Sequence, residues 1–420
     1  MQTGRKLATT LSILTLLAAG ALIAIRGGTP AAAAPSAIAA ALPRPPEAGA
    51  AWKKELSFGR VREDADGYVQ MLKDGGRVEL TLDPTLQRQA ERILEASPTP
   101  YAAAVMISVE DGRVLALAGR SGGEPHKNAP ELALKAWAPA ASVFKLVTAA
   151  ALVDAGVSET TRVCYHDGVH SVESSNLVTH PRWDRACRSL AFGVAKSQNA
   201  IMARLANDHL DAGDLERTAR ALGFGAALPF ELPVEPSEAE IPHESPLAFA
   251  RVAAGFWSTT LSPLHGAYLA ATLARGGVTP PLRIIDRVVD RAGDSVRPDG
   301  AAPRRVISAD AAQAVARMMV GTTQYGTAKS GFHDRRGRPL LPGVAVAGKT
   351  GSLNRVQPFL AYSWFVGFAP AERPEVAVAV LLGNGTVWHR RAHQVAAEML
   401  SGYFHGDSAP APSNHRLASR

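Results

Sequence analysis

The run Pro139-Ala140-Ala141-Ser142-Val143-Phe144-Lys145-Leu146-Val147-Thr148 passes from a proline-led approach into an apolar helix pattern. A serine hydroxyl is a weak nucleophile at neutral pH and needs a base within hydrogen-bond reach to take its proton. Three positions along a helix supply that reach, because residues i and i+3 share a face with Cβ atoms about 5–6 Å apart. Lys145 is therefore spaced to serve Ser142, and the positive end of the helix favours the charge that develops there. Taken alone, Ser-x-x-Lys is common and reads as a serine cap followed by a solvated lysine.

Two further pieces change that balance. Ser197-Gln198-Asn199 lies between two helical patterns, and Lys349-Thr350-Gly351-Ser352 follows the apolar run Val344-Ala345-Val346-Ala347 at what reads as the end of a strand. As helix caps or an ordinary strand residue, Ser197, Asn199 and Thr350 would be unremarkable one by one, but their joint occurrence in this order points to one constellation. A competing motif overlaps the third piece. Residues Gly343 to Thr350 satisfy the G-x-x-x-x-G-K-[ST] pattern of a phosphate-binding loop. Its context argues against nucleotide binding: the intervening residues alternate Val and Ala as a buried strand does, and no helix pattern follows.

The three motifs resemble Ser-x-x-Lys, Ser-x-Asn and Lys-Thr/Ser-Gly of the penicillin-binding proteins and their serine β-lactamase relatives. Val78 to Gln87, the Ala103–Ala118 hairpin pattern with its Asp111-Gly112 turn, Thr260 to Leu264, Gly326 to Lys329 and Trp364 to Pro370 also look like segments of the penicillin-binding transpeptidase domain. The likeness covers residues 78–404. It implies that Ser142 attacks the carbonyl between the two D-alanines of a peptidoglycan stem peptide, with Lys145 as base and Ser197 as proton relay. By the same resemblance, Lys349 shapes the field, Asn199 holds the substrate amide, and Thr350 and Ser352 take the terminal carboxylate beside Gly351. The backbone N–H groups of Ser142 and Ser352 would form the oxyanion hole, with each such donor typically worth about 2.7–4 kcal/mol. Lys145 must be neutral to act as base, so burial and the neighbouring Lys349 have to lower its pKa.

The fold expected from the strand patterns is α/β. Val344–Gly348, Ala361–Phe368 and Val376–Leu382 are separated by short connections and so form antiparallel neighbours, joined by the early hairpin. A terminal helix over His389–Tyr403 covers one face, and a mostly helical lobe from Ser142 to about Gly277 covers the other. The cleft between sheet edge and lobe is where the three motifs should meet, as the family resemblance also implies.

The 420-residue chain, 46% hydrophobic, is long enough for one large domain with accessories. Arg5 and Lys6 precede the apolar run Leu7–Ile25, which is long enough to span a bilayer. Residues 1–26 therefore read as an uncleaved transmembrane anchor with its amino end in the cytoplasm, with cleavage in the alanine-rich stretch Ala31–Ala41 as the rival reading. Residues 27–50 read as an Ala/Pro/Gly-rich linker, 51–77 as a short pedestal with a hairpin across Asp74-Gly75-Gly76, 78–404 as the transpeptidase domain and 405–420 as a loose tail. The pedestal is shorter than the family's usual non-catalytic domain and too short for a glycosyltransferase.

Cys164 and Cys187 are the only cysteines. In an oxidising compartment they could form one disulfide contributing about 3 kcal/mol, while His166, His170 and His180 between them leave a zinc cluster open, although the spacing matches no familiar zinc pattern. His389 and His393, four apart with no third ligand, read as a surface accident. The net charge of +7 is spread over Arg-rich loops and does not imply nucleic acid.

The function expected is a D,D-transpeptidase that cross-links stem peptides, binds β-lactam antibiotics covalently, needs no cofactor or metal, and works outside the cytoplasmic membrane beside other cell-wall synthesis proteins. No Glu-x-x-Leu-Asn segment of the class A β-lactamase kind is present. The alternatives are a D,D-carboxypeptidase, a class D-like β-lactamase, or a membrane-tethered sensor or scaffold that retains the pocket without turnover.

Overall fold

The computed structural model describes residues 52–406 apart from 66 and 123–126; the expected anchor, the linker and residues 407–420 lie outside the described residues. A six-stranded antiparallel sheet is ordered Ala347–Arg355, Leu360–Ala369, Val376–Asn384, Tyr101–Ser108, Val114–Ser121 and Lys127–Asn128. The three late strands pair through short connections. Val376–Asn384 then joins the early hairpin, with Val380 opposite Ala104.

The inner strands are buried along their whole length and almost wholly apolar because both faces are covered. Alternate residues sort into two cores. Val105, Ile107, Trp364, Val366, Ala379 and Leu381 face the helical lobe. Met106, Phe365, Val378, Val380 and Leu382 face the helices Pro84–Glu95 and Ala392–His405. Full burial of each larger side chain stabilises by about 1.5–3 kcal/mol. The helix Pro263–Ala274, buried on almost every side, lies against the sheet. Its Ser262 hydroxyl accepts from the His265 N–H and closes the first turn. Asp83 does the same for Pro84–Glu95, accepting from Thr85 and Leu86.

Four details depart from the sequence reading. The strand expected over Val344–Gly348 begins at Ala347 and runs to Arg355, so Lys349-Thr350-Gly351-Ser352 lies within it. Pairing sets those bounds, since Lys349 opposes Val366 and Ser352 opposes Ser363. The last helix starts at Ala392 rather than His389, because the Ala392 N–H donates to Ser363 Oγ and ties the chain to the sheet just before the helix. The lobe is not uniformly helical: Arg162–Tyr165 and Ala186–Ser189 pair as strands within it.

Finally, the hairpin expected across Asp74–Gly76 forms from Tyr68–Met71 and Arg77–Leu80, and it belongs to a second sheet. Arg77–Leu80 pairs with Ile285–Val289, which in turn pairs with Ser295–Val296, so the 51–77 segment is joined to chain far downstream. Among the described residues, no helix is long and apolar enough to cross a membrane.

Candidate active site

Ser142 occupies a single 3₁₀ turn, Ala141–Phe144, that leads directly into the helix Lys145–Asp154. A 3₁₀ turn has three residues per turn, so positions i and i+3 stack in line rather than diverging as on an α-helix. Lys145 Nζ accordingly stands 2.8 Å from Ser142 Oγ. The preceding residue, Ala141, has φ 51°, a left-handed conformation that a residue with a side chain rarely adopts. Ser197 has φ 55° in the turn between the helices Leu190–Ala195 and Asn199–His209. Its hydroxyl accepts from Lys349 Nζ at 2.9 Å. Trp364 Nε1 donates to the Pro139 carbonyl at 2.9 Å and ties the sheet to the approach of the Ser142 turn.

The partners of Lys145 define its chemistry. Its amine donates to Asn199 Oδ1 at 2.7 Å and to the Ala254 carbonyl. The Asn199 amide is oriented in turn, because its Nδ2 donates to the Val169 carbonyl at 2.8 Å. A neutral amine has two N–H groups and one lone pair. With both N–H groups taken by carbonyl-type acceptors, the lone pair is left for the Ser142 O–H. Lys145 is fully buried, and burial, assisted by the cation at Lys349, holds its pKa well below the ordinary lysine value. Burial also pushes Lys349 down to about 7. Ala254 reaches Lys145 because Gly255, at φ +79°, passes so close to the Ser142 turn that a Cβ there would meet the Ala141 carbonyl oxygen at 2.5 Å.

Ser142, Ser197, Asn199, Ala254 and Gly255 line a cleft of about 330 Å³ whose other walls include Val169, His170, Lys196, Thr327, Gly351, Ser352 and Trp364. A larger recess of about 1120 Å³, bordered by Leu80, Arg113, Arg275 and Tyr403, contains none of the motif residues. Thr350 Oγ1 lies 2.5 Å from Thr327 Oγ1, which leaves a paired hydroxyl edge along the strand side. A buried basic amine against a serine, with a second buried lysine bonded to the Ser197 hydroxyl at the cleft wall, is an arrangement suited to acyl transfer through a serine ester.

The sequence matches the family model described as penicillin binding protein transpeptidase domain over residues 102–402. The chain belongs to this family. It is 28% identical over 360 residues to the peptidoglycan D,D-transpeptidase PbpA of Mycobacterium tuberculosis, covering 77% of this chain and 70% of that protein. It is 25% identical to stage V sporulation protein D of Bacillus subtilis, over 78% of this chain and 53% of that one. Among solved structures, the ceftriaxone acyl-enzyme complex of penicillin-binding protein A from M. tuberculosis superposes with a TM-score of 0.65, covering 79% of this chain and 80% of that one. At 24% identity that likeness is one of fold.

Within this transpeptidase fold the three motifs converge: Ser142, Ser197, Asn199, Thr350, Gly351 and Ser352 all border one cleft, with Lys145 and Lys349 buried beneath it. Cys164 and Cys187, directly opposite each other on paired strands, form a disulfide, which removes both sulfurs from any zinc set. Among the described residues, no group of three or more His, Cys, Asp or Glu side chains is placed to hold a metal. The expectation for His393 needs correction: it is buried and borders the cleft, whereas His389 is exposed and precedes the helix. Sequence reasoning missed Val169, Ala254 and Thr327. Two of these act through backbone carbonyls, which no residue type marks. Thr327 carried a signal in Gly326-Thr327-Ala328-Lys329, but no role.

Proposed function

We propose that this chain is a serine-type peptidoglycan D,D-transpeptidase. Ser142 Oγ attacks the carbonyl carbon between the two D-alanines of a stem peptide and passes its proton to the Lys145 lone pair. The tetrahedral intermediate collapses with cleavage of the C–N bond. The departing D-alanine nitrogen takes a proton relayed through Ser197, while Asn199 orients the substrate amide. Lys349 shapes the field, Thr350 and Ser352 receive the terminal carboxylate beside Gly351, and the Ser142 and Ser352 N–H groups stabilise the oxyanion. An amine from a neighbouring strand then attacks the ester carbonyl, forms the cross-link and returns the proton to Ser142. β-Lactams enter by the same attack, with ring opening in place of departure.

The observation that carries the reading is the buried Lys145 nitrogen, which has Asn199 Oδ1, the Ala254 carbonyl and Ser142 Oγ within hydrogen-bond reach. In the neutral form two acceptors take its N–H groups, and its lone pair is left for Ser142. The residues lining the cleft include no carboxylate that would activate deacylating water, which favours a long-lived acyl-enzyme over hydrolysis.

We further read residues 1–26 as the membrane anchor, 27–50 as its linker, 51–77 as a short pedestal, 78–404 as the catalytic domain and 405–420 as a tail, with catalysis outside the cytoplasmic membrane. The disulfide favours an oxidising compartment. Intact-mass measurement after penicillin treatment tests the function. A single adduct persisting for many minutes on the wild type and absent from Ser142→Ala is expected, together with cross-linking of a stem-peptide donor to an added amine. Adduct release within seconds would instead indicate a β-lactamase, donor hydrolysis without cross-linking a carboxypeptidase, and a stable adduct without either turnover a sensor.

A further inference from the structure

Between the first two motifs runs a segment, residues 164–187, that contributes no motif residue yet forms one wall of the cleft through Val169 and His170. Besides the Asn199 amide on the Val169 carbonyl, one side chain of the Asn199–His209 helix makes most of the hydrogen bonds to it. Arg204, buried to 3% exposure, donates from Nε to the Asn176 carbonyl at 2.8 Å and from Nη2 to the Val178 carbonyl at 2.7 Å. Its Nη1 donates to the Cys164 carbonyl and, at 2.8 Å, to Asp184 Oδ2. Asp184 is itself buried and also accepts from the His180 N–H at 2.9 Å and from His166 Nδ1 at 2.6 Å. Burial alone would raise the Asp184 carboxyl, but the hydrogen bonds from Arg204 and His166 hold it well below the usual carboxylate range.

This clamp is larger than a surface loop requires, and its geometry leads to the reacting atoms. Arg204 stands on the helix that begins at Asn199. Gly168 packs so tightly on that helix that a Cβ would meet Ala200 Cβ at 2.4 Å and the Ala200 nitrogen at 3.0 Å. The next residue is Val169, whose carbonyl receives the Asn199 amide, and that amide in turn receives the Lys145 amine. Every link from Arg204 to Ser142 is thus a buried or part-buried hydrogen bond or a backbone contact.

We propose that Arg204 and Asp184 are positioning residues for acyl transfer. They press the 164–187 segment onto the Asn199–His209 helix, so that the Val169 carbonyl fixes the Asn199 side chain and, through it, the direction of the Lys145 lone pair. A buried Arg fork suits this task because its five N–H donors, fixed in one plane, meet several carbonyls and a carboxylate at once, more than an ammonium's three donors reach. The proposal rests on the reading of Ser142 as the acylated residue.

The test is a double-mutant cycle on the full chain, read as the rate of Ser142 acylation by penicillin across pH, with folding checked by circular dichroism. Absence of a wild-type adduct at Ser142 would sink the functional reading itself, before any variant is compared. Given that adduct, Asp184→Asn is expected to slow acylation by about 10²-fold, the effect of a misplacement near 1 Å. Its acid limb should move to higher pH, because a loosened wall admits water around Lys145 and raises its pKa. In an Asn199→Ala background the same substitution should have little further effect. Gly168→Ala lifts the segment without touching the ion pair and should give the same limb shift, so it decides the question if Asp184→Asn does not fold. Equal losses in both backgrounds, or lower rates with an unmoved acid limb in the folded variants, would reduce the clamp to a purely structural role and overturn the proposal.

Discussion

The two walls of the cleft are built by different means. On the lobe side, Ser142, Lys145, Ser197 and Asn199 come from turns and helix starts, and two residues there, Ala141 and Ser197, hold left-handed backbone. On the sheet side, Lys349 to Ser352 lie in a regular strand, and none of residues 347–355 has positive φ. Strain of this kind costs on the order of 1–3 kcal/mol per residue and persists only where surrounding packing enforces it. The contrast assigns the walls different tasks. On the proposed function, the lobe aims the atoms that react, while the sheet offers a charge and hydroxyl groups whose positions follow from pairing register.

The contrast can be broken most sharply at Lys145. Lys145→Ala is expected to lower the rate of penicillin acylation by about 10²–10⁴-fold, the usual contribution of a general base, while leaving Ser142 in place. A rate within a few-fold of wild type in stopped-flow measurements would mean that the lobe side does not supply the base.

Next in size is the sheet-side cation. Lys349→Ala should cost about 10²–10³-fold, as expected for an electrostatic donor. It also has a signed pH effect. Lys349 helps burial to depress Lys145, so its removal lets the Lys145 pKa rise, and less of the neutral amine remains at a given pH. The acid limb of the acylation profile should therefore move upward in pH. In the wild type a descending limb is expected near pH 7, where Lys349 itself loses its proton. A variant profile superimposable on the wild type would separate the two lysines electrostatically.

The smallest effect sharpens the role of close approach on the lobe side. Gly255→Ala forces a Cβ toward the Ala141 carbonyl at a position with φ +79°. It is expected to destabilise the fold by about 1–3 kcal/mol in chemical denaturation. The rate of acylation should fall by about tenfold as the Ala254 carbonyl leaves Lys145. Unchanged stability would show that the turn yields easily.

How much of this was legible in the sequence follows the same division. That Ser142, Lys145, Ser197, Asn199 and Lys349 would meet was legible because the chemistry proposed for them restricts residue type and spacing at each. The inner strands were readable because a sheet covered on both faces has to be almost wholly apolar, as Leu360–Ala369 and Val376–Asn384 are. The carbonyls of Val169 and Ala254 were not, since every residue carries one and only the fold selects which is used. The strand Ile285–Val289 was also missed, because two of its five residues are charged and its partner Arg77–Leu80 lies far away in the chain. Lys349 was placed at a strand end rather than inside one, because Gly348 and Gly351 look like strand breakers. Gly348 in fact leaves the space that the Phe365 ring fills.

The central claim concerns one nitrogen, and neutron diffraction from a deuterated crystal near pH 7 tests it most directly. The account predicts two deuterons on Lys145 Nζ, directed at Asn199 Oδ1 and the Ala254 carbonyl, with the Ser142 deuteron pointing back at the amine. Three deuterons on Lys145, one of them directed at Ser142 Oγ, would contradict it.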